Sequence, residues 1–184
     1  MGRVYDAIDD RWREWIAAQH VFFVSTAPAD GGHVNCSPKG LDSFRVLGAR
    51  EVAYLDYVGS GAETVAHLRQ NGRITLMFCA FEGPPRIFRI HGRGEAVEPG
   101  DADWEALSAL FPAAPNARCI IRVRAERLSD SCGYGVPLMA YQGVRPQMDA
   151  WAERKGPDGL RAYQLENNLE SLDGLPALRG ETLR

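Results

Sequence analysis

What is scarce in this chain narrows the reading before what is present does. Lysine occurs only at Lys39 and Lys155, and the 24 acidic residues outnumber the 21 basic ones, for a net charge of -3. A chain without a basic surplus makes a poor general binder of nucleic acid, whose phosphates must be neutralised. It also has no polybasic patch for a membrane surface. No apolar run approaches the roughly 20 residues that span a bilayer. The opening MGRVYDAIDDRWREW mixes charges among its apolar residues and builds no signal-peptide core. The expected location is cytoplasmic. Cys36, Cys79, Cys119 and Cys132 lie far apart with no C-x-x-C pair, so neither a disulfide framework nor a structural zinc site is expected. The first three sit in apolar contexts that read as core. His20, His33, His67 and His91 show no metal spacing, and Walker A, H-E-x-x-H and G-x-S-x-G are all missing. No nucleophile–base pair is legible, so no catalytic residue and no metal ligand is assigned.

What is there is a chain of 184 residues, 45% of them hydrophobic, enough for one domain with a buried core. Ile8, Trp12, Trp15 and Ile16 share the apolar face of a helix over 5–19. Runs rich in β-branched and aromatic residues then read as strands at 20–27, 33–37, 43–47, 51–57, 73–80, 86–97 and 119–128. Gly92 and Gly94 inside the long run suggest a bulge or a barrel bend. Short helices are expected after Ser60 and over 101–110. Many strands with few helices between them point to a mainly β fold, a small antiparallel barrel with flanking helices. The barrel core is expected over about 20–130 and a helical tail over about 145–173, with the segment from Gly174 fraying. The whole chain, 1–184, reads as a single domain.

Four places carry candidate chemistry. Tyr57-Val-Gly59-Ser60-Gly61-Ala-Glu63-Thr64 is a glycine-bearing turn between a strand and a helix. Backbone amides at the helix start and the hydroxyls of Ser60 and Thr64 suit a phosphate there. Ser60 and Glu63 equally describe a plain capping box with nothing bound. In Asn35-Cys-Ser37-Pro38-Lys39-Gly40, proline and glycine are expected to break the ladder and leave Lys39 on a tight turn, ready for an anionic or electron-rich ligand or simply solvated. Strand periodicity puts Arg89 and His91 on one face, facing either a buried anion or water. The loop Ser131-Cys132-Gly133-Tyr-Gly-Val-Pro137 either closes over a ligand or only connects the sheet to the tail.

Taken together, Val34-Asn-Cys-Ser-Pro-Lys-Gly40, Val52-Ala-Tyr-Leu-Asp-Tyr57 and Gly59 to Phe78 resemble the pyridoxamine 5′-phosphate oxidase-like family, the FMN-binding split β-barrels. The resemblance runs from about Asp9 to about Pro137. It implies an FMN-dependent oxidoreductase acting on a small-molecule substrate, and a homodimer with its cofactor sites at the subunit interface. Ser60, Glu63 and Thr64 fall on the family's phosphate turn, where Glu63-Thr64 replaces an Arg-Lys pair, so that Glu63 is expected to turn away toward the Ser60 amide. Ser37, Pro38, Lys39 and Gly40 fall where the family lines the flavin ring and ribityl chain. Cys132 and Gly133 fall on a segment that approaches the flavin. The tail carries Trp151 but does not match the family's substrate-binding tryptophan–arginine signature, so vitamin B6 oxidation is not expected. Related barrels bind the deazaflavin F420 or haem, with His91 a haem-ligand candidate, and a flavin-binding sensor without turnover is the remaining alternative. The apolar faces of the 119–128 strand and of the strand near Phe78 are the expected dimer surfaces.

Overall fold

The computed structural model describes residues 2–183. Its first element is not a helix but a two-residue strand, β1 (Val4–Tyr5), followed by α1 (Asp10–Ala17). The helix starts late because the Asp9 side chain accepts the Trp12 amide at 2.9 Å and fixes the cap there. Ahead of it, the Tyr5 hydroxyl and the Arg3 amide donate to Asp130, and β1 pairs with the last strand instead. The expected apolar face holds, with Ile8, Trp12 and Ile16 buried.

The remaining strands are β2 (Phe22–Thr26), β3 (Asn35–Lys39), β4 (Phe44–Gly48), β5 (Glu51–Tyr57), β6 (Arg73–Cys79), β7 (Ile87–Val97) and β8 (Ala117–Ser131). They form one eight-stranded antiparallel sheet in the order β3-β2-β6-β7-β8-β5-β4, with β1 on β8. Burial follows the strand period on β7, where Phe88 and Ile90 enter the core while Arg89 and His91 stay half-buried on the other face. The register slips between His91 and Gly92, and a Cβ on Gly92 would collide with the Arg124 carbonyl. That bulge lets the long strand bend.

The sheet curls but does not close. Its edges, β3 and β4, are consecutive in sequence and joined by a short connector, yet no pairing links them among the described residues. Phe44 packs on Phe22 and Phe78 at ring distances of 5.2 and 5.1 Å, which draws the two edges together. The result is a split along one side of the barrel. α2 (Glu63–Asn71) packs against β2 and β7, and α3 (Trp104–Ser108) covers a second core cluster that includes Leu55 and Ile120.

Several expectations change. Pro38 lies inside the ladder, paired with Phe23. β3 is an edge strand, where a missing N–H costs nothing. Cys36 is exposed, whereas Cys79 and Cys119 are buried. The faces expected to meet a second subunit are core already, since Cys119, Ile121, Val123 and Phe78 are buried within the chain. α4 (Gln147–Asn167) joins the two expected tail helices across a kink at Gly156, and its Ala152 and Leu160 cluster with Val58 beside the β5–α2 turn. The segment from Gly174 is not frayed: Ala177 and Leu178 are buried in the main core.

Candidate functional site

The split opens into a cleft with two joined lobes that share Pro38, Lys39, Gly40 and Leu41 on one side and Val58, Gly59 and Met148 on the other. The inner lobe, about 370 Å³, is the richer of the two in polar groups, with the hydroxyls of Ser37, Ser60 and Thr64 beside Lys39, Glu63 and Arg118. The outer lobe, about 960 Å³, lies between the β3–β4 connector and α4. Each is of the size of small-molecule clefts, roughly 300–1,000 Å³. Leu41, on the shared rim, holds a left-handed backbone (φ 63°) without being glycine, a local strain of the sort found at ligand sites.

Lys39 and Arg118 line the inner lobe, and behind them β5 places Asp56 with no solvent exposure. Its carboxylate receives the Lys39 ammonium at 2.6 Å from β3 and the Arg118 guanidinium at 2.8 Å from β8. This ion triad bridges the split where backbone pairing stops. Burial alone would raise the Asp56 carboxyl, but Arg118 and then Lys39 outweigh it and lower it from 3.8 to about 2. Arg118 also donates to the Gly61 carbonyl at 2.7 Å, tying the β5–α2 turn to the same centre. Beside it, Ser37 donates to Asn35, and Asn35 donates to Thr64 Oγ1 at 3.1 Å.

The turn itself differs from a capping box. The α2 N-cap is Ala62, whose side chain cannot cap, so Ser60 lies before the cap and the first-turn amides receive no side-chain acceptor. Glu63 does not reach back to the Ser60 amide. Its Oε1 accepts the Leu172 amide at 3.3 Å, and its carboxylate lies so close over Gly61 that a Cβ there would collide with it. Asn168, fully buried, donates to the Gly59 carbonyl at 2.9 Å. Asp173 accepts from both the amide and the ring of His33. The C-terminal segment therefore straps the turn and the β2–β3 hairpin together.

The structure brings ten of the residues singled out in the sequence to one cleft: Ser37, Pro38, Lys39, Gly40 and Tyr57, with Gly59, Ser60, Gly61, Glu63 and Thr64. It does not bring Arg89, Cys132 or Gly133 there. Arg89 bonds Ser131 Oγ at 3.0 Å, and Gly133 packs on the Arg86 backbone. His91 lies on the outer face, away from both lobes, and burial lowers its pKa first, followed by Arg127 and Arg89. The far half of the same loop does return to the cleft, where Tyr141 stacks on His20 at 3.6 Å.

Sequence reasoning missed Asp56, Arg118 and the α4 wall of Met148, Trp151 and Tyr163. The lone acid in the apolar run Val-Ala-Tyr-Leu-Asp was a usable signal, because a buried carboxylate requires a cation nearby. Nothing local marked the wall, which depends on where α4 docks.

The donors fit a flavin carrying a phosphate. Free first-turn amides, the Thr64 hydroxyl and the buried Arg118 meet in the inner lobe, and the outer lobe has the apolar walls a ring system needs. Two charges oppose them: Asp56 and Glu63 offset Lys39 and Arg118.

An open, curled antiparallel sheet with a small-molecule cleft at its split is a split β-barrel. The pyridoxamine 5′-phosphate oxidase family model matches residues 8–132. A curated relative, the pyridoxamine 5′-phosphate oxidase family protein ustO of Aspergillus flavus, is 40% identical over 191 residues, covering 95% of this chain and 77% of its own. The chain belongs to the pyridoxamine 5′-phosphate oxidase family. Among solved structures, HupZ from Group A Streptococcus superposes with a TM-score of 0.51 at 21% identity, covering 66% of this chain and 91% of its own. A candidate pyridoxamine 5′-phosphate oxidase from Lactobacillus delbrueckii gives 0.52 at 18%, covering 67% and 94%. At these identities the likeness is one of fold.

Proposed function

We propose that the protein is an FMN-dependent oxidoreductase acting on a small organic molecule, working as a homodimer. The observation that carries the reading is the two-lobed cleft, whose polar end meets the uncapped start of α2 while its apolar end is walled by Trp151, Met148 and Tyr163. When bound, FMN supplies the hydride or electron-pair chemistry, and the protein supplies orientation, charge and access.

In this reading the first-turn amides of α2, Thr64 and Arg118 hold the phosphate. Ser37 and Asn35 offer hydroxyl and amide groups to the ribityl chain. Lys39 provides positive charge at the boundary between the lobes, held in place by Asp56. The α4 wall offers the ring system an apolar side to pack on. Support for a homodimer comes from the loop after β8, where Tyr134, Leu138 and Val144 are 82%, 80% and 65% exposed. Clustered apolar exposure of this kind is usual at a surface that meets another chain.

The test is to identify by mass whatever cofactor the purified protein releases, and then to titrate FMN into the protein and into Lys39→Ala. The reading expects FMN to be released or taken up, and the variant to bind it more weakly or with an altered spectrum. Uptake of FMN with the same affinity and spectrum in Lys39→Ala removes Lys39 from the site.

A further inference from the structure

α2 begins with an acid at its first residue, Glu63, after an N-cap that has no side-chain acceptor. An acid in the first turn suits the positive end of the helix. The carboxylate folds back over Gly61, and the Leu172 amide holds Oε1 from the other side at 3.3 Å. It lines the inner lobe together with Thr64 and Arg118. The strap that supplies Leu172 is itself fixed, through Asn168 on the Gly59 carbonyl and Asp173 on His33. Glu63 is thus tethered at the turn, and moving it away breaks a hydrogen bond.

The charges give this placement a consequence. Lys39 and Arg118 share one carboxylate, Asp56, which contacts both, and Glu63 is the second acid that brings the formal charge of the four groups to zero. A phosphate monoester brings about -1.5 to -2 charges. In the inner lobe it meets two cations already engaged by Asp56, and the Glu63 carboxylate at the turn itself. A flavin that ends in the uncharged ribityl alcohol meets no such repulsion.

We propose that Glu63 is a specificity-determining residue, a built-in competitor for the cofactor's phosphate. It keeps FMN weakly held and exchangeable, and it narrows the preference for FMN over riboflavin. The inference rests on the flavin reading above.

The experiment measures dissociation constants of FMN and riboflavin, by quenching of flavin fluorescence, for the full-length protein and for Glu63→Gln. The amide keeps an acceptor for Leu172 and removes the charge. FMN is expected to tighten at least about tenfold, equivalent to about 1.4 kcal/mol, while riboflavin changes less than about twofold. Glu63→Ala, which loses the tether as well, is expected to tighten FMN in the same direction, so that a folding defect in one variant leaves the other to decide. Circular dichroism checks that each is folded. If both flavins bind and their ratio is unchanged by the variants, the proposal is overturned and the flavin reading stands. If neither flavin binds the protein or its variants, the flavin reading falls and the proposal falls with it.

Discussion

Asp56 is the residue on which the cleft depends most. It has no solvent exposure and two cationic partners, and removing a buried charge leaves its partners unpaired, a loss of roughly 3–5 kcal/mol. Asp56→Asn is expected to lower stability by that amount, read from urea unfolding. The pH dependence has a definite sign. Because the folded carboxyl lies at about 2 against 3.8 unfolded, its contribution is complete above about pH 4 and is lost as pH falls toward 2. Melting temperature should therefore fall across that window, and the part due to Asp56 should vanish in Asp56→Asn. Gly92 is a second residue whose identity is forced. Gly92→Ala drives a methyl into the Arg124 carbonyl and should cost about 1–3 kcal/mol, measured by the same unfolding curves. The sequence pointed to Gly92 through an interrupted strand pattern, because a bulge leaves a local trace. Asp56 left a trace too, but its partner Arg118 is 62 positions away and no local pattern joins them.

At the scale of elements, the strands were legible because alternation and β-branching are local. β5 falls on the expected span, Glu51–Tyr57. The errors came where a long-range partner overrode a local preference. Tyr5, expected to open the helix, pairs with β8 instead, because β8 offered pairing and Asp130 offered an acceptor. Ser60 had the spacing of a capping box, yet Leu172 claimed Glu63 and the cap fell on Ala62. The tail looked like a glycine-rich fray because the sockets for Ala177 and Leu178 are built by distant residues. Leu178→Ala should accordingly cost about 2–5 kcal/mol, as for a core leucine, and a change below about 0.5 kcal/mol in urea unfolding would return the tail to the surface. α4 has a functional counterpart to this test. Trp151→Ala removes a large part of the outer wall together with its packing on Tyr163, and should weaken flavin binding while lowering the melting temperature less than Leu178→Ala does.

Across the whole molecule, the sheet solves its closure with side chains in place of backbone bonds. The open edges β3 and β4 are held by Phe44 packing and by the Lys39–Asp56–Arg118 triad, which leaves room between them for a ligand. Strand patterning and glycine spacing located the mainly β architecture, the turn and the β3 segment, and the resemblance to a known family joined the last two into one expected flavin site. It did not locate the C-terminal strap, which lies beyond the matched residues 8–132. The exposed apolar loop sets a prediction at this scale. The protein should sediment at twice its 20.3 kDa chain mass, and Tyr134→Ser with Leu138→Ser should shift it toward the single chain. The most direct measurement is a titration of the purified protein with FMN up to about 1 mM, followed by visible absorbance and fluorescence. Flavin bands that shift, with fluorescence that saturates at one FMN per chain, are the predicted result. A colourless protein that leaves the spectrum and fluorescence of FMN unchanged throughout the titration would contradict it.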